Sequence, residues 1–179
     1  MKHSARIHSR QAQRGAALVI SLLMLLVMTV LGLAAMQVTR MEERMAGNSR
    51  DVNLAFQGAE AGLRDSEELI RVMVARPDTC SVAPCDIWQR DLHPADLRDQ
   101  TEAWWVANGR EYGVAGTREV TDSTRDPLVV TEDLGFVSDS LTVGHGPPEG
   151  RNFYKITSNS TGASDTASAV LESTYTRRF

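Results

Sequence analysis

AALVISLLMLLVMTVLGLAAM, residues Ala16–Met36, carries no charged side chain; the nearest on either side are Arg14 and Arg40. As a helix these roughly 21 residues rise about 31 Å, enough to cross the hydrocarbon core of a bilayer. Only Ser21, Thr29 and Gly32 interrupt the apolar run, and a helix can turn small hydroxyls back onto its own carbonyls. Lys2, Arg6, Arg10 and Arg14 precede it without an acid, and the first carboxylate in the chain is Glu42. That asymmetry predicts a cytoplasmic N-terminus, a single pass through the inner membrane and an exported remainder.

A cleaved secretory signal shares the basic and apolar parts, and Gly32-Leu33-Ala34 offers small residues for a cut. An ordinary signal has an apolar region of about 7–15 residues, shorter than this one. The helical pattern here also continues past the span. Between Gln37 and Ala75 there is no proline, and Gly58 and Gly62 sit one turn apart. Val52, Phe56, Ala59, Leu63, Ile70 and Met73 recur close to helical spacing, which predicts one apolar stripe. Arg50, Glu60, Arg64, Asp65, Glu67 and Arg71 fall largely off it, and Pro77 ends the pattern. A helix from Ala16 to about Ala75 spans roughly 90 Å. Its weak point is Gly47-Asn48, where glycine costs ~1 kcal/mol, and the sequence leaves open whether the helix breaks there.

The chain has 179 residues and a formal charge of −4; the four cations of the leader leave about −8 on the remainder. With two lysines and no basic run beyond the leader, nucleic acid is excluded as a partner, since phosphate binding needs clustered cations. Cys80 and Cys85 are the only cysteines, and in an exported domain such a pair is expected as a disulfide. Two thiols without a companion pair do not close a zinc tetrahedron.

After Pro77 the composition turns to β-branched and turn-forming residues. Asp78–Asp86 reads as a cysteine-clamped connection, and Asp91–Val106 contains a short helix. Trp104-Trp105 is expected in the core, with one ring facing the helix stripe; the alternative is a surface pair for a partner or sugar. Strand candidates are Glu111–Val114, Thr117–Thr121, Leu128–Glu132, Ser140–Val143, Phe153–Ser158 and Ala167–Thr176. The last two alternate clearly and flank the turn formers Thr161–Asp165, so they predict a closing hairpin. An antiparallel sheet with one apolar face would then cover the helix stripe, giving an α+β fold. Gly144–Gly150 (GHGPPEG) reads as an exposed loop in which His145 is solvated.

Catalytic signatures are missing. Two of the four histidines, His3 and His8, fall in the leader, and there is no G-x-S-x-G elbow, Walker loop or dinucleotide fingerprint. Glu67-Glu68 lies on the helix, where solvation is expected. Asp122, Asp126, Glu132, Asp133 and Asp139 lack the tight alternation of a calcium loop and read as a solvated acidic face. The chain is thus read as a non-enzyme without metal or cofactor.

A basic leader ending in glycine, followed by a long apolar helix that becomes amphipathic, resembles a type IV prepilin. More closely, RGAALVISLLMLLVMTVLGLAAM (Arg14–Met36) and MEERMAGNSRDVNLAFQGAEAGLR (Met41–Arg64) resemble the PilX-type minor pilins. Glu43–Asn48 and Leu54–Ala61 are the specific parts, and the likeness covers roughly the first 70 residues. It implies a leader at 1–15, a transmembrane half-helix at 16–36, an amphipathic half at 37–76 and a β-rich periplasmic head at 77–179. It implies a pilin-like fold, cleavage by prepilin peptidase between Gly15 and Ala16, and methylation of the new amino group on Ala16. Ile20 stands at the fifth position after that cut, where major pilins carry glutamate.

That departure has physical content. The glutamate is thought to neutralise the positive N-terminus of the adjoining subunit in an apolar core, where an unpaired charge is costly. A subunit lacking it suits the tip. The resemblance therefore implies a rare subunit that primes assembly and caps the fibre, with other minor pilins, the major pilin and a large tip adhesin as partners. A type II secretion pseudopilin shares the leader and helix. A membrane-anchored periplasmic binding domain using Trp104-Trp105 is the reading from another class.

Overall fold

In a computed structural model, residues 14–94, 96–113, 120–139 and 149–179 are described. The fold is α+β and pilin-like: a long N-terminal helix, α1 (Arg14–Val72), and a four-stranded antiparallel sheet against which it packs. Helix α1 contains 59 residues and runs through Gly47-Asn48 without a break. It ends at Val72, a few residues before Pro77. The chain divides into two compact units, one ending at Gly47 and the other spanning Asn48–Phe179.

In the second unit, α2 (Glu102–Asn108) precedes β1 (Arg110–Glu111), β2 (Leu128–Ser138), β3 (Gly150–Thr161) and β4 (Ser168–Arg177), ordered β1-β2-β3-β4. Thr101 caps α2, its hydroxyl accepting from the Trp104 amide at 3.3 Å. The closing hairpin is β3–β4, with Thr161 opposite Ser168 and the Gly162 amide donating to the Ala167 carbonyl at 2.9 Å. Strand β2 runs six residues beyond the expected Leu128–Glu132 because a bulge between Asp133 and Gly135 lets the ladder continue. Gly135 takes φ 103° there, a conformation that glycine adopts without a Cβ penalty.

Other expectations need correction. Val120 and Thr121 are not in a strand, and Gly150 is a buried first residue of β3 rather than part of an exposed loop. Ser140–Val143, His145 and most of Thr117–Thr121 lie outside the described residues.

The sheet is buried on both faces, where one apolar face was expected. Along β2, Val129 points toward α1 and joins Ile70, Ile87, Tyr154 and Ile156. Its neighbours Leu128 and Val130 point the other way, into a second cluster with Cys85, Trp88, Leu97 and Trp105. Period-two alternation sends successive side chains to opposite faces, so two cores on one strand require both faces to be covered. Trp105 is therefore core, but it packs with Trp88 on the far face and not on the helix stripe. Trp104 is half-buried and meets Trp105 edge to face at 5.3 Å. The pair does not form a surface platform for a sugar or partner.

The segment before α2 also protects the sheet. The Trp88 amide donates to the Thr131 carbonyl at 2.7 Å, and Asp133 donates back to the Trp88 carbonyl at 3.0 Å. This parallel bridge occupies part of the β2 edge that the two-residue β1 leaves open. A disulfide joins Cys80 to Cys85 and clamps the turn leading into it.

Candidate assembly surface

In the first unit, every described side chain from Gly15 to Gly47 is exposed. Leu18 is 67 % exposed, Ile20 58 % and Leu31 64 %, and the surrounding leucines, valines and methionines are similar. An apolar helix with no covering partner is stable only in lipid or against other apolar helices. By length and composition it can cross a membrane: its most apolar window has mean hydropathy 2.7 and none of it is buried within the protein. The two hydroxyls of the span are satisfied inside the helix, Ser21 donating to the Leu18 carbonyl at 2.9 Å and Thr29 to the Leu26 carbonyl at 2.8 Å. No polar group of these side chains is left for hydrocarbon to desolvate.

Gly15 and Ala16 lie in the first turn of α1, and nothing stands within 4 Å of where a Gly15 Cβ would be. Ile20 follows one turn later. These three positions share an exposed helix start.

In the second unit, the stripe that docks α1 on the sheet is shifted from the expected one. Ala55, Gly58, Ala59, Gly62, Ser66 and Ile70 are buried, whereas Val52 and Phe56 are about half exposed. Small residues dominate because the backbones come close. A Cβ on Gly62 would sit 3.0 Å from Val129 Cγ2 and 3.1 Å from Pro127 Cβ, besides meeting Ser158 Oγ. One on Gly58 would meet Ser160, its Cβ 3.1 Å away. Sequence spacing favoured the large apolar residues; the helical pair of glycines was the better signal, since glycine lets a backbone approach a neighbour closely.

Polar ties fix the helix along this face. Arg110 pairs with Asp65 at 2.9 Å and donates to Ser66 Oγ at 2.9 Å. At the hairpin end, the Ser164 amide donates to Asp51 Oδ1 at 3.1 Å, and its hydroxyl bonds the other carboxylate oxygen. The Ser164 hydroxyl is the main cause holding the Asp51 carboxyl below its ordinary range. Ser173 donates to Glu67 at 3.1 Å, and the Arg177 guanidinium bonds the Ile70 carbonyl. On the outer side, Arg64 pairs with Glu60 and Arg71 with Glu68, further along α1 than the exposed Val52 and Phe56.

Asp126, Glu132, Asp133 and Asp139 are dispersed among separate contacts. Asp126 accepts from the Val120 amide at 2.8 Å, Asp133 from Arg76 at 2.8 Å, and Glu132 pairs with Lys155 at 2.6 Å. Asp139 pairs with Arg151 and Arg178. Glu132 and Asp133 are buried rather than part of a solvated face. No group of three or more His, Cys, Asp or Glu that would hold a metal is present among the described residues. His93 is wedged between Trp88 and Trp104, with ring centroids 4.4 and 5.2 Å away. Burial lowers its pKa, opposed by Glu132 and aided by Lys155. Trp88 and His93 carried no sequence signal of this packing, because their partners come from distant segments.

The family described as PilX N-terminal matches residues 14–64, and the one described as type IV pilus assembly protein PilX C-term matches residues 49–177. No curated protein and no solved structure matches the chain.

Proposed function

Since this chain belongs to the PilX family of type IV pilus assembly proteins, we propose that it is a minor pilin that primes assembly of a type IV pilus and sits at its tip. The supporting observation is an apolar helix with no internal partner, continuous in sequence with a packed α+β head. Before assembly, Ala16–Met36 is covered by the inner membrane, with the N-terminus cytoplasmic and the head periplasmic. In the fibre, other minor pilins and the major pilin cover the same surface. Exchange between two apolar environments costs little, so one helix serves both as anchor and as assembly element.

Prepilin peptidase cuts between Gly15 and Ala16, and the new amino group of Ala16 is methylated. The exposed, uncrowded first turn of α1 supports access to this bond. Ile20 supplies no carboxylate to neutralise a neighbouring N-terminus, which suits a position with no subunit above it. The role is structural, not catalytic, and a large tip adhesin docks on the complex. Twitching motility and adhesion depend on it through piliation.

Replacing Gly15 by leucine tests this reading. Unprocessed protein and few surface pili are expected; normal processing and piliation contradict it. Deleting the gene separates the pilus from a secretion pseudopilus: pili disappear in the first case, secreted enzymes in the second.

A further inference from the structure

On the sheet face away from α1, β3 and β4 form the floor of a cleft of about 520 Å³. Thr157 and Val170 line it from the strands, and Leu97 lines it from the segment before α2. At its rim stand Asp96, Arg98 and the exposed Glu172. The register explains this grouping, since Thr157 pairs with both Val130 and Glu172 and so shares their face.

Thr157 is unusual among these residues. It is 2 % exposed, yet its hydroxyl has no hydrogen-bond partner among the described residues. A buried hydroxyl left without a partner is costly, and side chains at such positions are normally satisfied.

The rim is acidic on balance. The Arg98 guanidinium donates to both Asp96 carboxylate oxygens, from Nη2 at 2.6 Å and from Nε at 2.9 and 3.1 Å, so that cation is already neutralised. Asp99 and Glu172 both act on the same guanidinium from nearby, leaving more carboxylates than cations. Lys155, two residues before Thr157 on β3, is paired with Glu132. The cleft thus combines an apolar wall, an acceptor at depth and surplus negative charge at the mouth.

We propose that this cleft binds a lysine side chain of a partner protein, its alkyl stem along Leu97 and Val170 and its ammonium between Glu172 and the Thr157 hydroxyl. Charge complementarity selects the cation, and an ammonium supplies the donors that Thr157 and the carboxylate accept. This is a site on the head, distinct from the helix that anchors the chain.

The test uses the full-length protein in detergent micelles, labelled with ¹³C at threonine methyls. It is titrated with acetyl-Ala-Lys-Ala-amide and, as a control, acetyl-Ala-Glu-Ala-amide. The lysine peptide is expected to shift the Thr157 methyl resonance saturably, less so at higher ionic strength, while the glutamate peptide leaves it in place. Glu172→Gln, at an exposed position, should weaken the lysine peptide about tenfold. Thr157→Val, read through valine methyl labels, should weaken it similarly while melting no lower than the parent, because the change removes an unpaired buried hydroxyl. A purely structural Thr157 would give the same stability result with unchanged binding. No saturable shift, equal response to both peptides, or binding indifferent to Glu172→Gln overturns the proposal.

Discussion

Asp65 on α1 and Arg110 at the start of β1 form an ion pair at 2.9 Å, their side chains only 8 % and 12 % exposed. The pair joins the helix to the sheet where water screens little. Removing one partner of such a pair strands the other charge, at a cost of about 3–5 kcal/mol. Arg110→Met should therefore lower the stability of the head by about 3 kcal/mol, read as a fall in urea midpoint with unchanged slope. Arg64→Met, which breaks the exposed pair with Glu60, should change it by less than about 1 kcal/mol.

The glycines of α1 make a sharper comparison. Alanine is favoured over glycine in a helix by ~1 kcal/mol, and Gly32, with nothing within 4 Å, should accept it without loss. Gly62→Ala meets Val129, Pro127 and Ser158 and should be net destabilising by roughly 1–3 kcal/mol. Adding Ser158→Ala removes the nearest of these atoms and should recover part of that loss. Thermal melts of the three variants check the order.

The Cys80–Cys85 bridge closes a short loop, so chain entropy limits its contribution to about 2 kcal/mol. Reduction should lower the melting temperature of the head without unfolding it at room temperature. The loss should appear first around Trp88, whose cluster includes Cys85, as a change in tryptophan fluorescence.

Asp96 offers a pH prediction. Hydrogen bonds from the Arg98 side chain, then its amide, bring the Asp96 carboxyl down from 3.8 to about 2. A carboxyl depressed on folding adds stability above its unfolded pKa and loses it as pH falls through the folded one. Its contribution is thus complete above about pH 4 and is lost as pH falls toward 2. Carboxyl-carbon NMR should show the low midpoint, and Arg98→Ala should return it toward the ordinary range.

The apolar span, the closing hairpin and the disulfide are legible in the sequence because each depends on neighbours in the chain. Periodicity names the strands of the hairpin, and Cys80 and Cys85 lie only five positions apart. The docking face of α1 is not legible in the same way. Val52 and Phe56 fit a 3.6-residue stripe, but the sheet selects Gly58 and Gly62 because Ser158 and Ser160 leave room only for a bare backbone. Nor does the sequence show that Trp88 bridges to β2 or that β2 is covered twice. Those facts depend on a loop folding back across more than forty residues, for which spacing holds no signal. The start of α1 is the reverse case: its proposed role is legible in Gly15, Ala16 and Ile20, while its geometry contributes only exposure.

Mass spectrometry of the polypeptide recovered from sheared pili tests the central claim most directly. The account predicts an N-terminus at Ala16 bearing one methyl group, in the same fibre fraction as the major pilin. A chain retained in the membrane with its leader intact, or one trimmed near Ala35, contradicts it.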